Sequence, residues 1–111
     1  MSTLEVLQDV SGGDTTVSLS GELDISTAAE LEQVLGNLAV PDGPARIVID
    51  LRDLRFMDST GLRLMLVWDD MARRDGMRLR LLPGPPAVQR VFEVTGVIDR
   101  LPFEDRGSAE V

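Results

Sequence analysis

Ile47-Val48-Ile49 is a short unbroken apolar run that follows the breaker Pro41-Asp42-Gly43-Pro44 and precedes a helical pattern. Such a run is typical of a strand in the interior of a sheet, covered on both faces. Strand three is therefore expected from Arg46, ending near Asp50. Parallel neighbours of an interior strand need long crossover connections, so the elements on either side of the run decide the topology.

Upstream, Leu4 to Val10 and Thr15 to Leu23 flank Ser11-Gly12-Gly13-Asp14, a turn composition, and the second run sets Val17 and Leu19 opposite Thr16, Ser18 and Ser20. That alternation predicts a hairpin. Ser26 or Thr27 can cap the next segment, Glu30 completes a capping box with Thr27, and Leu31, Val34, Leu35 and Leu38 repeat at helical spacing, predicting a helix over Ala28 to Leu38. Downstream, a second helix is expected from Thr60 to about Arg73, stopped before Gly76. Met77, Leu79 and Leu81 then alternate with Arg78 and Arg80 as a strand with one wet face. Pro85-Pro86 opens a third helix carrying Val88, Val91 and Phe92, Gly96 closes it, and Leu101 to Phe103 offer a last strand. From Glu104 the chain is polar and expected to be a loose tail.

The order β-β-α-β-α-β-α-β predicts an α/β fold with a mixed four- to five-stranded sheet, its edge hairpin antiparallel and the rest largely parallel. Because strands two and four each keep a hydrophilic side, the helices are expected mainly on one sheet face. The 111 residues, 43% hydrophobic, fit one domain spanning 1–111.

Composition narrows the function. No apolar run approaches the ~18 residues of a membrane span, and Met1-Ser2-Thr3-Leu4-Glu5 lacks the pattern of a signal peptide, so a cytoplasmic location is expected. The chain has neither cysteine nor histidine, which weakens thiol, zinc, heme and hydrolase readings. A net charge of −8 opposes binding to nucleic acid or anionic lipid, and a protein partner is expected instead. All eleven basic residues are arginine.

Asp58-Ser59-Thr60-Gly61-Leu62 stands between strand three and helix two, so the Ser59 hydroxyl falls at a helix N-terminus. The first backbone N–H groups of a helix lack internal partners and the dipole is positive there, which suits a phosphoryl group. At about 100° per residue, Leu64, Met65, Val67, Trp68, Met71 and Ala72 share an arc facing the sheet. Ser59 falls on the opposite side with Leu62, Arg63, Leu66, Asp70 and Arg73, while Thr60 turns toward the buried arc. Ser59 is thus the favoured phosphoacceptor. Alone, an Asp or Ser before a helix is usually an N-cap worth about 1 kcal/mol and nothing more. Asp69-Asp70 and Arg73-Arg74 read as i, i+4 ion pairs on a solvated helix end.

Phe56-Met57-Asp58-Ser59-Thr60-Gly61-Leu62, preceded by Ile47-Val48-Ile49-Asp50-Leu51, resembles the signature of STAS-domain anti-sigma factor antagonists of bacteria. Gly21-Glu22-Leu23-Asp24 resembles that family's first acidic loop, and Val88 to Val97 its third helix and following turn. The resemblance implies the STAS fold and no catalysis by this chain. It also implies that Ser59 is phosphorylated by an anti-sigma factor that is an ATP-dependent serine kinase. The unmodified form would bind that kinase and release sigma, and a metal-dependent serine/threonine phosphatase would reset the switch. ATP and metal then belong to the partners, and this chain needs no cofactor. Asp24, Asp58, Thr60, Gly61 and Leu62 would lie at or beside the docking surface, with Arg63 and Leu66 on the same side as Ser59. Arg63 departs from the small residue expected after Leu62 and is placed to pair with a phosphoserine one turn earlier.

The alternative within the fold is a non-switching STAS scaffold subunit of a stress-signalling or transporter assembly. A phospho-aspartate receiver fits poorly, since the acidic pair after strand one and the lysine it needs are absent. An aspartic protease needs two close carboxylates on a far larger lobe.

Overall fold

The computed structural model describes residues 3–40 and 42–104. Its elements in chain order are β1 (Leu4–Ser11), β2 (Asp14–Leu23), α1 (Ala28–Leu38), β3 (Arg46–Met57), α2 (Ser59–Asp75), β4 (Arg78–Leu82) and α3 (Pro86–Val94). The expected loose tail lies, beyond Glu104, outside the described residues.

The strands form one sheet in the order β1-β2-β3-β4. β1 and β2 pair antiparallel from Leu4↔Gly21 to Ser11↔Asp14 across a turn in which Gly12 has φ 63°. β2 with β3 and β3 with β4 pair in parallel, each through a helical crossover. Val17, Leu19 and Leu23 of β2, Ile47 and Ile49 of β3, and Leu79 and Leu81 of β4 join Leu31 and Leu35 of α1, Met65 and Trp68 of α2, and Val88 and Phe92 of α3 in a single core. Residues of opposite phase, Thr16, Ser18 and Ser20, stay partly exposed. The helices therefore share one face, as the wet sides of strands two and four require.

Three expectations are corrected. Strand three continues past Asp50 to Met57. Between Ser18 and Leu23, β2 advances five residues while β3 advances seven, from Asp50 to Met57, through two shifts of register. Each shift inserts one residue and flips the side-chain alternation, so Leu51, Leu54 and Met57 all reach the core although they lie three apart in sequence. The last strand shrinks to a bridge between Leu81 and Phe103. Leu81 N–H donates to the Pro102 carbonyl and Glu104 N–H to the Leu81 carbonyl, but Pro102 has no N–H with which to extend a ladder. Finally, Thr27 is the N-cap of α1 by position, yet its hydroxyl makes no capping bond to the helix and turns back into the preceding loop, so its half of the capping box does not form.

α2 closes at Gly76, which takes the left-handed φ of 73°, and Met77 N–H reaches back to the Ala72 carbonyl at 2.9 Å. Asp69–Arg73 and Asp70–Arg74 form the expected i, i+4 pairs at 3.1 and 3.6 Å.

Candidate functional site

Parallel pairing brings the C-terminal ends of β2 and β3 to the same edge of the sheet, where Leu23 lies opposite Met57. Two segments leave that edge, the loop into α1 and the tight turn into α2. The N–H of Asp58 donates to the Leu23 carbonyl at 3.3 Å and ties them together. Gly61 permits close approach of α2: a Cβ there would fall 2.5 Å from Met57 Cγ and 3.0 Å from Leu23 Cδ2.

Asp58 is the N-cap of α2, in extended backbone, and its Oδ1 accepts from Thr60 N–H at 2.9 Å. Ser59 is the first helical residue and is exposed. Of the N–H groups that the sequence offered to a phosphate, that of Thr60 is thus already taken. A carboxylate two residues upstream, free to fold back, is the nearest acceptor, and capping is the ordinary result.

The β2–α1 loop is fixed by its own side chains. Asp24 Oδ1 accepts from Ser26 N–H at 2.9 Å and from the Ser26 hydroxyl at 2.6 Å. The buried Thr27 hydroxyl accepts from Asp24 N–H at 3.0 Å and donates to the Glu22 carbonyl at 2.9 Å. The Ser26 hydroxyl, with smaller help from the Ser26 backbone and from Thr27, holds the Asp24 carboxyl below its usual range against the opposing effect of desolvation.

Asp24, Asp58, Ser59, Thr60 and Arg63 all keep exposed or partly exposed surface, and Leu66 is half-buried against the core. Gly61 and Leu62 are buried. The burial of Leu62, at 8% exposure, corrects its assignment to the Ser59 side, and Val67, expected in the buried arc, is 47% exposed. Both changes follow from one cause. The line of closest approach to the sheet runs through Gly61, Met65, Trp68 and Ala72, which rotates the buried arc roughly half a residue step toward Leu62 and Asp69 relative to a purely hydrophobic count. Glycine and a paired aspartate carry no hydrophobic weight, so neither registered in that count.

Ile25, which no sequence pattern singles out, is 82% exposed in the fixed loop directly after Asp24. An isoleucine among loop residues carries no periodic signal, and only the loop geometry shows it turned outward. Among the described residues no group of three or more acidic, histidine or cysteine side chains is gathered to hold a metal ion. None of their helices is long and apolar enough to cross a membrane.

One-sided helices over a β1-β2-β3-β4 sheet, with a serine at the capped start of the helix after β3, define the STAS class of domain. The family described as "Mlab, STAS domain" matches residues 6–102. The anti-sigma-B factor antagonist of Staphylococcus aureus is 36% identical over 83 residues, covering 75% of this chain and 76% of that protein. An anti-sigma factor antagonist from Mycobacterium paratuberculosis superposes with a TM-score of 0.77 at 31% identity, over 90% of this chain and 84% of the other. The unphosphorylated form of the anti-sigma factor antagonist SpoIIAA, at 22% identity, shares the fold with a TM-score of 0.76 over 95% and 92% of the two chains. The chain belongs to the STAS-domain family of anti-sigma factor antagonists.

Proposed function

We propose that this chain is an anti-sigma factor antagonist whose unphosphorylated form binds an anti-sigma factor serine kinase and releases the sigma factor, and that phosphorylation of Ser59 abolishes the binding. The observation that carries the reading is the exposed Ser59 hydroxyl on the first residue of α2, at the rim where the β2–α1 loop and the helix meet. Asp24, Asp58, Thr60 and Arg63 frame it there, with Gly61 and Leu62 setting the helix beneath and Leu66 at its flank. A serine/threonine phosphatase would reverse the modification, in the cytoplasm where all three partners meet.

The switch is electrostatic. A phosphoryl group adds roughly −1.5 to −2 charges beside the Asp58 carboxylate. An exposed helix N-terminus returns only about 0.3–1 kcal/mol, and Asp58 already occupies the Thr60 N–H. Leaving a charge buried and unpaired in an interface costs about 2–5 kcal/mol. A net penalty of about 3 kcal/mol weakens binding more than about 100-fold with no refolding of the domain.

Incubation with a cognate anti-sigma kinase and ATP, followed by mass spectrometry, should place one phosphoryl group on Ser59. Titration of the kinase should give similar affinity for wild type and Ser59→Ala and a loss of about 100-fold for Ser59→Asp. Equal affinity for Ser59→Asp and wild type would overturn the switch and leave a non-switching scaffold.

A further inference from the structure

The sequence puts the apolar contacts of the docking surface at Leu62 and Leu66, but the structure turns these inward or half inward and turns two other side chains out. Ile25 is 82% exposed in the loop that leads into α1, and Val67 is 47% exposed on α2 facing the groove it shares with α1. A shallow groove of about 100 Å³ runs between α1 and α2, lined by Ala28, Glu32, Thr60, Arg63, Leu64 and Val67. Ile25 stands three residues before Ala28 at the loop end of that groove, and Val67 closes the far end, two turns along α2 from Ser59. We propose that Ile25 and Val67 are the apolar anchors of the docking surface and that the anti-sigma factor lays an apolar ridge along the α1–α2 groove between them. This inference rests on the function proposed above and adds which side of Ser59 the partner covers.

Three observations carry it. First, Ile25 is held out by a fixed loop, since hydrogen bonds from Ser26 to Asp24 and from Asp24 through Thr27 to Glu22 pin the residues on both sides of it. A large apolar side chain presented on a preorganised loop loses little freedom when a partner covers it, which is the property of an interface anchor. Second, the groove is continuous with the candidate phosphoacceptor, because Thr60 lines it and Ser59 precedes Thr60 in the same turn. A ridge seated there ends one residue from Ser59. Third, the charges at the rim fit one kind of occupant. Glu32 and Arg63 are the charged side chains lining the groove, on a chain of net charge −8. The ridge should therefore carry a lysine or arginine set to meet Glu32, while its centre stays apolar. A second copy of this chain, itself at net charge −8, is disfavoured by like-charge repulsion.

The test uses the full chain and the purified anti-sigma kinase that binds it, with affinity read by titration calorimetry. Ile25→Ser and Val67→Ser should each weaken binding about 10-fold or more, with Glu32→Lys weakening it further, as expected for removing a buried apolar contact or opposing a cation. Thermal unfolding should move little, because both apolar side chains are solvent-exposed in the free protein. Gln33→Ser, on the exposed face of α1, should leave affinity unchanged. Binding of Ile25→Ser and Val67→Ser within about twofold of wild type would overturn the groove and leave the Ser59 switch standing. Absence of any wild-type binding to anti-sigma kinases would overturn both.

Discussion

Asp58 and Thr60 are joined across Ser59 by a 2.9 Å hydrogen bond from the Thr60 backbone N–H to Asp58 Oδ1. The residue proposed to be modified is therefore bracketed by its own helix cap. The cap fixes the backbone on both sides of Ser59 and sets a carboxylate, already holding the Thr60 N–H, beside the place an incoming phosphoryl group would take.

Asp58→Ala should lower stability by about 1 kcal/mol, the ordinary worth of a side-chain N-cap, whereas Asp58→Asn, which keeps an acceptor, should lose only a few tenths. Urea denaturation followed by circular dichroism measures both. Equal losses would mean that the carboxylate charge, not the hydrogen bond, stabilises the start of α2.

Gly61→Ala sets a gain in helix propensity against a clash. The new Cβ meets Met57 Cγ at 2.5 Å and Leu23 Cδ2 at 3.0 Å, and both side chains are buried in the core. The clash should win, with a net destabilisation of about 1–3 kcal/mol. Displacement of the first turn should also reduce the rate of Ser59 phosphorylation, and a variant as stable as wild type would show that Met57 swings aside freely.

Thr27→Val keeps the shape of a buried side chain and deletes the hydroxyl that bridges Asp24 N–H and the Glu22 carbonyl. A cost of about 1–3 kcal/mol is expected for the groups left unpaired. Amide hydrogen exchange at Asp24 should speed up relative to wild type, reporting a loosened β2–α1 loop.

Asp50 gives the protein an acid-sensitive element. Its side chain is only 10% exposed, and desolvation pushes its pKa up. The Arg52 side chain, bonded to both carboxylate oxygens at 3.0 and 2.9 Å, together with the Arg52 backbone and charge, outweighs that and leaves the pKa below the usual 3.8. A depressed folded-state pKa stabilises above the unfolded value and loses that contribution as pH falls through the folded one. The difference in melting temperature between wild type and Asp50→Asn should be constant from neutral pH down to about 4 and shrink below it. Arg52 is 60% exposed, so solvent screening limits the pair to about 1 kcal/mol at neutral pH.

Much of this architecture could be read from the residues alone, because its signals are periodic or local. The hairpin turn at Gly12, the alternation of β2, the helical spacing of α1 and the Pro-Pro start of α3 each act within a few positions. What escaped depended on tertiary contact. The far half of β3 buries residues 51, 54 and 57 and leaves Phe56 half exposed, a spacing foreign to a regular strand, and only its pairing with β2 explains it. The rotation of α2 was hidden because the sheet contact is made through Gly61. At the site, the capped serine was legible from its neighbours, whereas the outward turn of Ile25 and Val67 required the packed helices.

The two register slips in β3 are places where the length of the strand and the facing of its side chains come uncoupled. Losing the inserted residue at one slip would straighten the strand and leave Leu54 opposite Gly21 and Met57 opposite Leu23, whereas a deletion in a regular stretch would turn every later side chain over. The slips are slack in the line, and the turn into α2 can keep its place beside the β2–α1 loop while the strand leading to it changes by a residue.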